Sequence, residues 1–214
     1  MLLSPPPLLP FTLRDGTRVA LRPVVAADAR RVAEGFQALS ETSRRFRFLA
    51  PLSHLSEAQL RYLTDVDHVD HVAWGVLDLD ALETPGFGIG RFIRLQDEPH
   101  AAEFSLTIID AAQGRGLGAL LLAVLYLLAP TLDVRVLRGL VARDNERMVR
   151  WLQRLGAVFS GDGTEAVLDL PVRSDLSRLP ANRSARTFAA LVRHLRRAAR
   201  TWEAGRVLPL PPAI

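Results

Sequence analysis

The chain of 214 residues contains no cysteine and no lysine, so all 27 of its basic residues are arginine. Without cysteine there can be no disulfide, no thiolate nucleophile and no cysteine-based zinc site, which fits a reducing compartment such as the cytoplasm. Without lysine there can be no Schiff-base nucleophile. The same absence excludes a P-loop, because that phosphate-binding signature ends in Gly-Lys-Ser/Thr.

Long hydrophobic runs are also missing. The longest, from Leu117 to Ala129, is shorter than the roughly 20 residues that a membrane helix needs. Three consecutive prolines interrupt the apolar N-terminus and no basic residue precedes them, so we interpret 1–11 as a flexible tail and not as a signal peptide. Hydrophobic residues make up 49% of the chain, enough for one domain with a substantial core. We therefore expect a soluble, cytoplasmic protein without a membrane partner.

The order of helical and extended patterns describes one domain. Asp15-Gly16 is typical of a two-residue hairpin turn within an alternating segment at 12–23, and helical spacing with serine caps follows. Three strand-like runs come next, with gaps that suit antiparallel hairpins, and the glycine-rich stretch "AQGRGLGA" follows them. The predicted helices are 28–39, 40–48, 56–64, 117–129 and 145–155, and the predicted strands are 71–79, 86–95, 101–110, 134–142 and 165–172.

The C-terminal segment, 173–214, is predicted to be a separate extension. Between residues 185 and 203 an apolar helical stripe lies opposite a row of arginines. This pattern favours a helix docked on its own domain or on a second copy in a homodimer, and the alternative is an acidic partner or a membrane surface. The stripe consists of Phe188, Leu191, Val192, Leu195, Ala199 and Trp202, and the arginines are Arg193, Arg196, Arg197 and Arg200.

The glycine-rich stretch is the clearest candidate site. A strand that ends in glycines and opens a helix presents free backbone N–H groups and the positive end of the helix dipole, which together favour phosphate. Gly114, Gly116 and Ala119 formally match a dinucleotide fingerprint. However, the acid expected at the end of the next strand is missing, and the preceding strands look connected by hairpins, so NAD remains the second alternative.

The same stretch matches Q/R-x-x-G-x-G/A through Gln113, Gly116 and Gly118, and it resembles the acetyl-CoA pyrophosphate loop of the GCN5-related N-acetyltransferases (GNAT). The later segment "LVARDNERMVRWLQRLGAV" resembles the second cofactor segment of that family. The resemblance covers 12–172. The runs "ALSETSRRFRF", "TDVDHVDHVA" and "AAEFSLTIIDAAQGRGLG" resemble the bacterial protein lysine acetyltransferases that act on acyl-CoA synthetases. The resemblance implies an α+β fold, with a mixed, mostly antiparallel sheet flanked by helices.

The resemblance also implies residue roles. The strand around Ile108 would splay from its neighbour and bind the pantetheine arm, and Asn145 would contact the cofactor unless it only caps its helix. Glu103 would be the general base, and Ala101, Ala102 and Phe104 predict a desolvated environment for it. The tyrosine that serves many family members as general acid is missing, since its place is near Leu152. The pyrophosphate would be held by the segment that follows Gln113, through the N–H groups of Gly114, Arg115, Gly116, Leu117, Gly118 and Ala119.

The implied activity is transfer of acetyl from acetyl-CoA to an amine, with a protein lysine, such as one on an acyl-CoA synthetase, as the leading acceptor. The alternatives are a small amine or antibiotic acceptor, and a non-catalytic acyl-CoA sensor. We expect no metal, because the acidic and histidine cluster at 65–71 lacks a ligand spacing. We expect no nucleic acid, because "SRRFRF" at 43–48 is one short basic cluster.

Overall fold

The computed structural model describes residues 8–161, 163 and 165–203, with side chains as far as residue 199. Within these residues, eight strands form one sheet in the order β1-β2-β3-β4-β5-β6-β8-β7. The strands are β1 (Leu9–Thr12), β2 (Arg18–Pro23), β3 (His71–Asp78), β4 (Gly88–Arg94), β5 (Ala101–Ile108), β6 (Val136–Ala142), β7 (Val158–Phe159) and β8 (Glu165–Pro171). The helices are α1 (Ala29–Gln37), α2 (Glu41–Phe48), α3 (Glu57–Thr64), α4 (Leu117–Leu128), α5 (Glu146–Leu155) and α6 (Arg183–Glu203).

The sheet is antiparallel at every described pairing except that of β5 with β6. The strands β3, β4 and β5 follow each other as hairpins, as the gap lengths predict. A doubly wound dinucleotide fold needs parallel strands joined by helical crossovers, so this topology excludes it. The α+β fold with a mixed sheet and a C-terminal helix is confirmed.

Serine side chains begin two of the helices. The Ser40 hydroxyl accepts from the Ser43 N–H at 3.2 Å and caps α2. Ser56 and Gln59 form a reciprocal capping box at the start of α3. These bonds satisfy N–H groups that have no partner inside a helix, which is why polar residues predicted the helix starts well.

Helix α4 lies at the centre of the core, where it contacts β3, β4 and β5 on one side and α6 on the other. Its residues from Leu120 to Tyr126 are all buried. The Tyr126 hydroxyl donates to the Pro171 carbonyl at 3.1 Å and accepts from the Arg173 N–H at 2.7 Å. A helix that is apolar on nearly every face is stable only when it is covered on both sides, and this packing covers it.

Helix α6 docks on its own domain. The Phe188 ring meets the Tyr126 ring edge-on at 5.3 Å, and the His194 ring meets that of Phe11 at 5.4 Å. Leu191, Val192 and Leu195 of the predicted stripe are buried, which confirms intramolecular docking; the Trp202 side chain lies outside the described residues.

Three local predictions differ from the structure. Strand β1 begins at Leu9, inside the segment interpreted as a tail, because pairing with β2 orders it. The hairpin at Asp15-Gly16 has a longer loop than a two-residue turn, closed by the Leu13 N–H donating to the Thr17 carbonyl. The edge strand β7 was not predicted, since two residues carry no periodicity.

No helix in the described part of the chain has the length and apolar character that crossing a membrane requires.

Candidate active site

The loop between β5 and α4 is shaped by glycines. Gly114 and Gly116 have φ of +80° and +88°, in the left-handed region that other residues adopt at a cost. A Cβ built on Gly114, Gly116 or Gly118 would meet no atom within 4 Å. No packing inside the protein therefore requires the missing side chains, and the loop presents an open, bare backbone surface.

The same loop carries unbonded donors. Within the described part of the chain, no group accepts from the backbone N–H groups of residues 114–119, and the first bond of α4 runs from Leu120 to Gly116. Helix α4 begins at Leu117 with Gly116 as its N-cap, so its positive dipole end faces the loop. Free N–H groups at a helix start fit a phosphate group, as the sequence predicts for Gly114 to Ala119.

The Arg115 side chain points away from this surface. Its guanidinium donates to the Asp15 carboxylate, with Nε at 2.7 Å, and to the Thr17 hydroxyl. The bond from Arg115, followed by bonds from Thr17, holds the pKa of Asp15 well below its usual range. Arg115 therefore ties the loop to the β1–β2 hairpin, and only its backbone faces the proposed phosphate site.

Polar side chains join the loop to α2. The Asp110 carboxylate accepts from the Ser40 N–H, the Ser40 hydroxyl and the Ser43 hydroxyl at 2.8–2.9 Å. Burial opposes the charge of Asp110, but these bonds outweigh burial and lower its pKa. Gln113 Nε2 donates to the Ser43 hydroxyl at 3.1 Å and to the Ile108 carbonyl at 3.2 Å. The start of α2 and the end of β5 are thereby fixed to the glycine loop.

Strands β5 and β6 diverge beside this loop. Their parallel pairing runs from Ala101 to Phe104 on β5 and ends at Gly139 on β6. The Ile109 N–H donates to the Phe87 carbonyl, which lies on the β4 side of β5. Because backbone groups of successive strand residues point to alternate sides, the N–H and C=O groups of Leu106 and Ile108 point toward β6. Because Gln113 already bonds the Ile108 carbonyl, the Leu106 backbone groups and the Ile108 N–H are the ones available in the gap.

Glu103 lies on β5, one residue before the last pair with β6. Its side chain is exposed, and Ala102 and Phe104 are buried on the opposite face of the sheet. The enclosed environment expected for this carboxylate is therefore wrong. Ala102 and Phe104 face the other side of the sheet, and Ala101, although buried on the same side as Glu103, leaves the Glu103 side chain exposed. The Arg47 guanidinium on α2 lies close enough to Glu103 for their charges to interact.

Asn145 caps α5, since its side-chain oxygen accepts from the Met148 N–H at 3.3 Å. Its amide NH₂ has no partner among the described residues, so the cap does not preclude a cofactor contact. The preceding residue, Asp144, forms an ion pair with Arg45 of α2 at 2.6 Å. This pair connects α2 with the β6–α5 turn, across the diverging strands.

Neither of the two tyrosines, Tyr62 and Tyr126, lies at the position near Leu152 where many family members carry the general acid. Leu152 is 1% exposed and belongs to the core. The Tyr126 hydroxyl has two backbone partners inside the fold, and Tyr62 is 57% exposed on α3. A thiolate can depart without a positioned acid, because thiols have a pKa of about 8.5 and the thiolate is therefore a stable leaving group.

The contacts of the two remaining clusters are local. Asp67 Oδ1 accepts from the N–H groups of Val69, Asp70 and His71 at 2.8–2.9 Å and closes the turn before β3. Among the described residues, no three His, Asp or Glu side chains are grouped as metal ligands. On α2, Arg44, Arg45 and Arg47 stack on phenylalanine rings at 4.6–4.8 Å, which accounts for the mixture of arginine with aromatics.

Sequence reasoning missed two buried or half-buried arginines, Arg91 on β4 and Arg47 on α2. Both line a cavity between the first three helices and the sheet. Neither position carries a sequence signal, because an arginine in a short strand or helix normally reaches solvent.

Comparison with known proteins gives the family. A family model described as an acetyltransferase (GNAT) domain matches residues 18–158. The chain is 34% identical over 151 residues to Acetyltransferase Pat of Mycolicibacterium smegmatis, which covers 71% of this chain and 44% of that protein. It is 31% identical over 151 residues to Acetyltransferase PA5475 of Pseudomonas aeruginosa, covering 71% of this chain and 81% of that protein. The chain thus spans less than half the length of the mycolicibacterial relative.

A solved structure, the GNAT domain of S. lividans PAT, superimposes with a TM-score of 0.70 at 24% identity, covering 77% of this chain and 96% of that one. At this identity the match supports the fold. The family model and the two relatives above 30% identity show the family, and the fold match is consistent with the glycine loop and the diverging strands described above. This chain belongs to the GNAT acetyltransferase family.

Proposed function

We propose that this chain transfers acetyl from acetyl-CoA to a lysine amine of a protein, with an acyl-CoA synthetase as the expected acceptor and Glu103 as general base. Family membership and the similarity to Acetyltransferase Pat support acetyl transfer and a protein acceptor. The observation that carries the proposal is the open glycine loop beside the gap between β5 and β6.

The chain offers two sets of backbone donors for the cofactor. The N–H groups of residues 114–119 would hold the pyrophosphate, where a Cβ would push the phosphate oxygens away. The Leu106 backbone groups and the Ile108 N–H would bind the pantetheine amides in the gap. Gln113 orients this end of β5, and Asn145 would offer its free amide to the cofactor. When bound, acetyl-CoA supplies an acetyl thioester.

The amine must lose a proton before it reacts. A lysine side chain has a pKa near 10.4 and is almost wholly charged at neutral pH. The exposed Glu103 carboxylate would accept this proton, directly or through one water, at the point where β5 leaves β6. The C–N bond then forms as the C–S bond breaks and the thiolate departs. The nitrogen releases its second proton to water as the amide forms, and Glu103 returns the first proton to solvent. Arg47 places a positive charge near Glu103 and would help to fix its orientation.

The test compares Glu103→Gln with Glu83→Gln, an equally conservative change at another exposed carboxylate. Thiol release from acetyl-CoA is followed with a lysine-bearing acyl-CoA synthetase and with a panel of small amines. We expect a loss of about 10²-fold or more in kcat near neutral pH for Glu103→Gln and none for Glu83→Gln. Full activity of Glu103→Gln would disprove the assigned base.

The thiol-release assay also tests the acceptor, and calorimetry tests the cofactor. Turnover with small amines but not with the synthetase would replace the protein acceptor with a small one. Tight acetyl-CoA binding without turnover on any amine would identify a sensor. Binding of NAD but not of CoA in calorimetry would overturn the whole proposal.

A further inference from the structure

The cavity that contains Arg47 and Arg91 lies between α1, α2 and α3 and the faces of β4 and β5. Its volume is about 60 Å³. Thr107 and Ile109 form part of its wall, and they flank Ile108, whose N–H faces the gap proposed for the pantetheine arm. The cavity is therefore next to the expected reaction centre. Most of the other lining side chains are apolar, among them Phe36, Leu39, Phe48 and Ile89.

Arg91 enters this cavity from β4 and is 4% exposed. Its guanidinium bonds to His71 Nε2 at 2.9 Å and to the Leu63 carbonyl at 3.0 Å. Burial, followed by the charge of Arg91, lowers the pKa of His71 to about 4, so the imidazole is neutral at pH 7. Both partners of Arg91 are thus uncharged, and among the described residues no carboxylate pairs with it.

Arg47 adds a second cation. It reaches the cavity from α2, is half-buried, and stacks on the Phe48 ring at 4.8 Å. Burial lowers the pKa of Arg91 to about 9, and repulsion by the charge of Arg47 lowers it in the same way. Arg31 at the rim is already partnered by Asp28 at 3.9 Å. No Asp or Glu is among the described residues that line the cavity.

The exposed Glu103 carboxylate interacts with the charge of Arg47 from outside the cavity, but Arg91 has no counter-ion among the described residues. The desolvation of the Arg91 charge is therefore not compensated, and it destabilises the fold. A ligand anion between the two guanidinium groups would remove this penalty. Arginine binds carboxylates through two parallel hydrogen bonds, and a cavity of this volume with apolar walls fits a carboxylate on a short hydrocarbon chain.

We propose that this cavity binds a carboxylate of one of the two reactants through Arg47 and Arg91. The inference rests on the proposed acyl transfer and specifies its substrates. The carboxylate has two possible sources. It belongs either to the acyl group of the donor, as in a dicarboxylic acyl-CoA, or to an acidic side chain beside the acceptor lysine.

The donor arm compares succinyl-CoA with butyryl-CoA, which has the same chain length without the carboxylate. The acceptor arm compares lysine peptides that carry a neighbouring glutamate with the same peptides carrying glutamine. Both arms use Arg47→Gln, which changes a half-buried helix residue, and Arg91→Gln. The control is Arg135→Gln, which removes the same charge at a side chain that is 68% exposed and lies outside the cavity.

We expect a preference of roughly tenfold or more, in kcat/KM, for the carboxylate-bearing reactant in one arm. Arg47→Gln should abolish that preference, and Arg135→Gln should leave it unchanged. Equal rates in both arms, or a preference that survives in Arg47→Gln, would overturn the inference even if acetyl transfer itself is observed.

A binding measurement separates this inference from the proposed function. Butyrate and butyramide are titrated into the protein without CoA, and chemical-shift changes are followed by NMR. Binding of butyrate but not butyramide, lost in Arg47→Gln, would support the cavity even if no acetyl transfer occurs. Absence of butyrate binding, combined with normal acetyl transfer and no preference in either arm, would remove the carboxylate site and leave the proposed function intact.

Discussion

Replacing Gly118 with alanine separates a role in folding from a role in binding. Gly118 is the second residue of α4, and a Cβ at this position meets no atom within 4 Å. Alanine favours a helix over glycine by up to about 1 kcal/mol, and at a helix start we expect about half of that. The variant should therefore be slightly more stable than the parent protein, by roughly 0.5 kcal/mol.

The same methyl group should weaken CoA binding. It would occupy the open surface that the pyrophosphate is proposed to fill, and so would lengthen one or more charge-assisted hydrogen bonds from the loop. Loss of one such bond is worth about 1.5–3 kcal/mol, which raises Kd about 10- to 150-fold. Stability is measured by urea unfolding, and Kd for CoA by isothermal calorimetry.

Gly35→Ala provides the matched control. Gly35 lies within α1, and its Cβ would also meet no atom within 4 Å. It should stabilise the protein by up to about 1 kcal/mol and leave Kd for CoA unchanged. If Gly118→Ala also leaves Kd unchanged, the glycine loop does not hold the pyrophosphate, and the reasoning from open space is refuted.

Three further predictions concern stability. Tyr126→Phe should lose about 1–3 kcal/mol in urea unfolding, because two partly buried backbone groups lose their partner; an unchanged midpoint would contradict this. Burial and then Arg91 lower the pKa of His71 to about 4, below its unfolded value near 6.5. The unfolded state therefore binds the proton first, and stability should fall, by at most about 3 kcal/mol, as pH drops from 6.5 to 4. His71→Gln should lack this part of the pH dependence. Arg115→Met should lower the urea midpoint only slightly, because the ion pair with Asp15 is exposed, and should increase hydrogen exchange in the β1–β2 hairpin, because the hairpin loses its bonds to the glycine loop.

Local patterns predicted most elements because the forces that form them act between neighbours in the chain. Serine caps marked the starts of α2 and α3, and short turns between alternating strands predicted the β3–β4–β5 hairpins. Side chains alternate between the two faces of a strand, so the sequence could also have placed Glu103 on the face opposite Ala102 and Phe104. The expectation of an enclosed carboxylate overlooked this alternation. Edge strands were missed because β1 and β7 depend on a partner strand more than on their own residues.

The sequence by itself determined the glycine loop, the order of strands and helices, and the family, since these depend on residue type and spacing. Only the tertiary structure decided where side chains at distant positions meet. It turned Arg115 toward Asp15, 100 residues earlier in the chain, and brought Arg47 beside Arg91 in a cavity without a carboxylate. The sequence predicts that an arginine in a strand is exposed. Arg91 is buried because helices from elsewhere in the chain cover its strand.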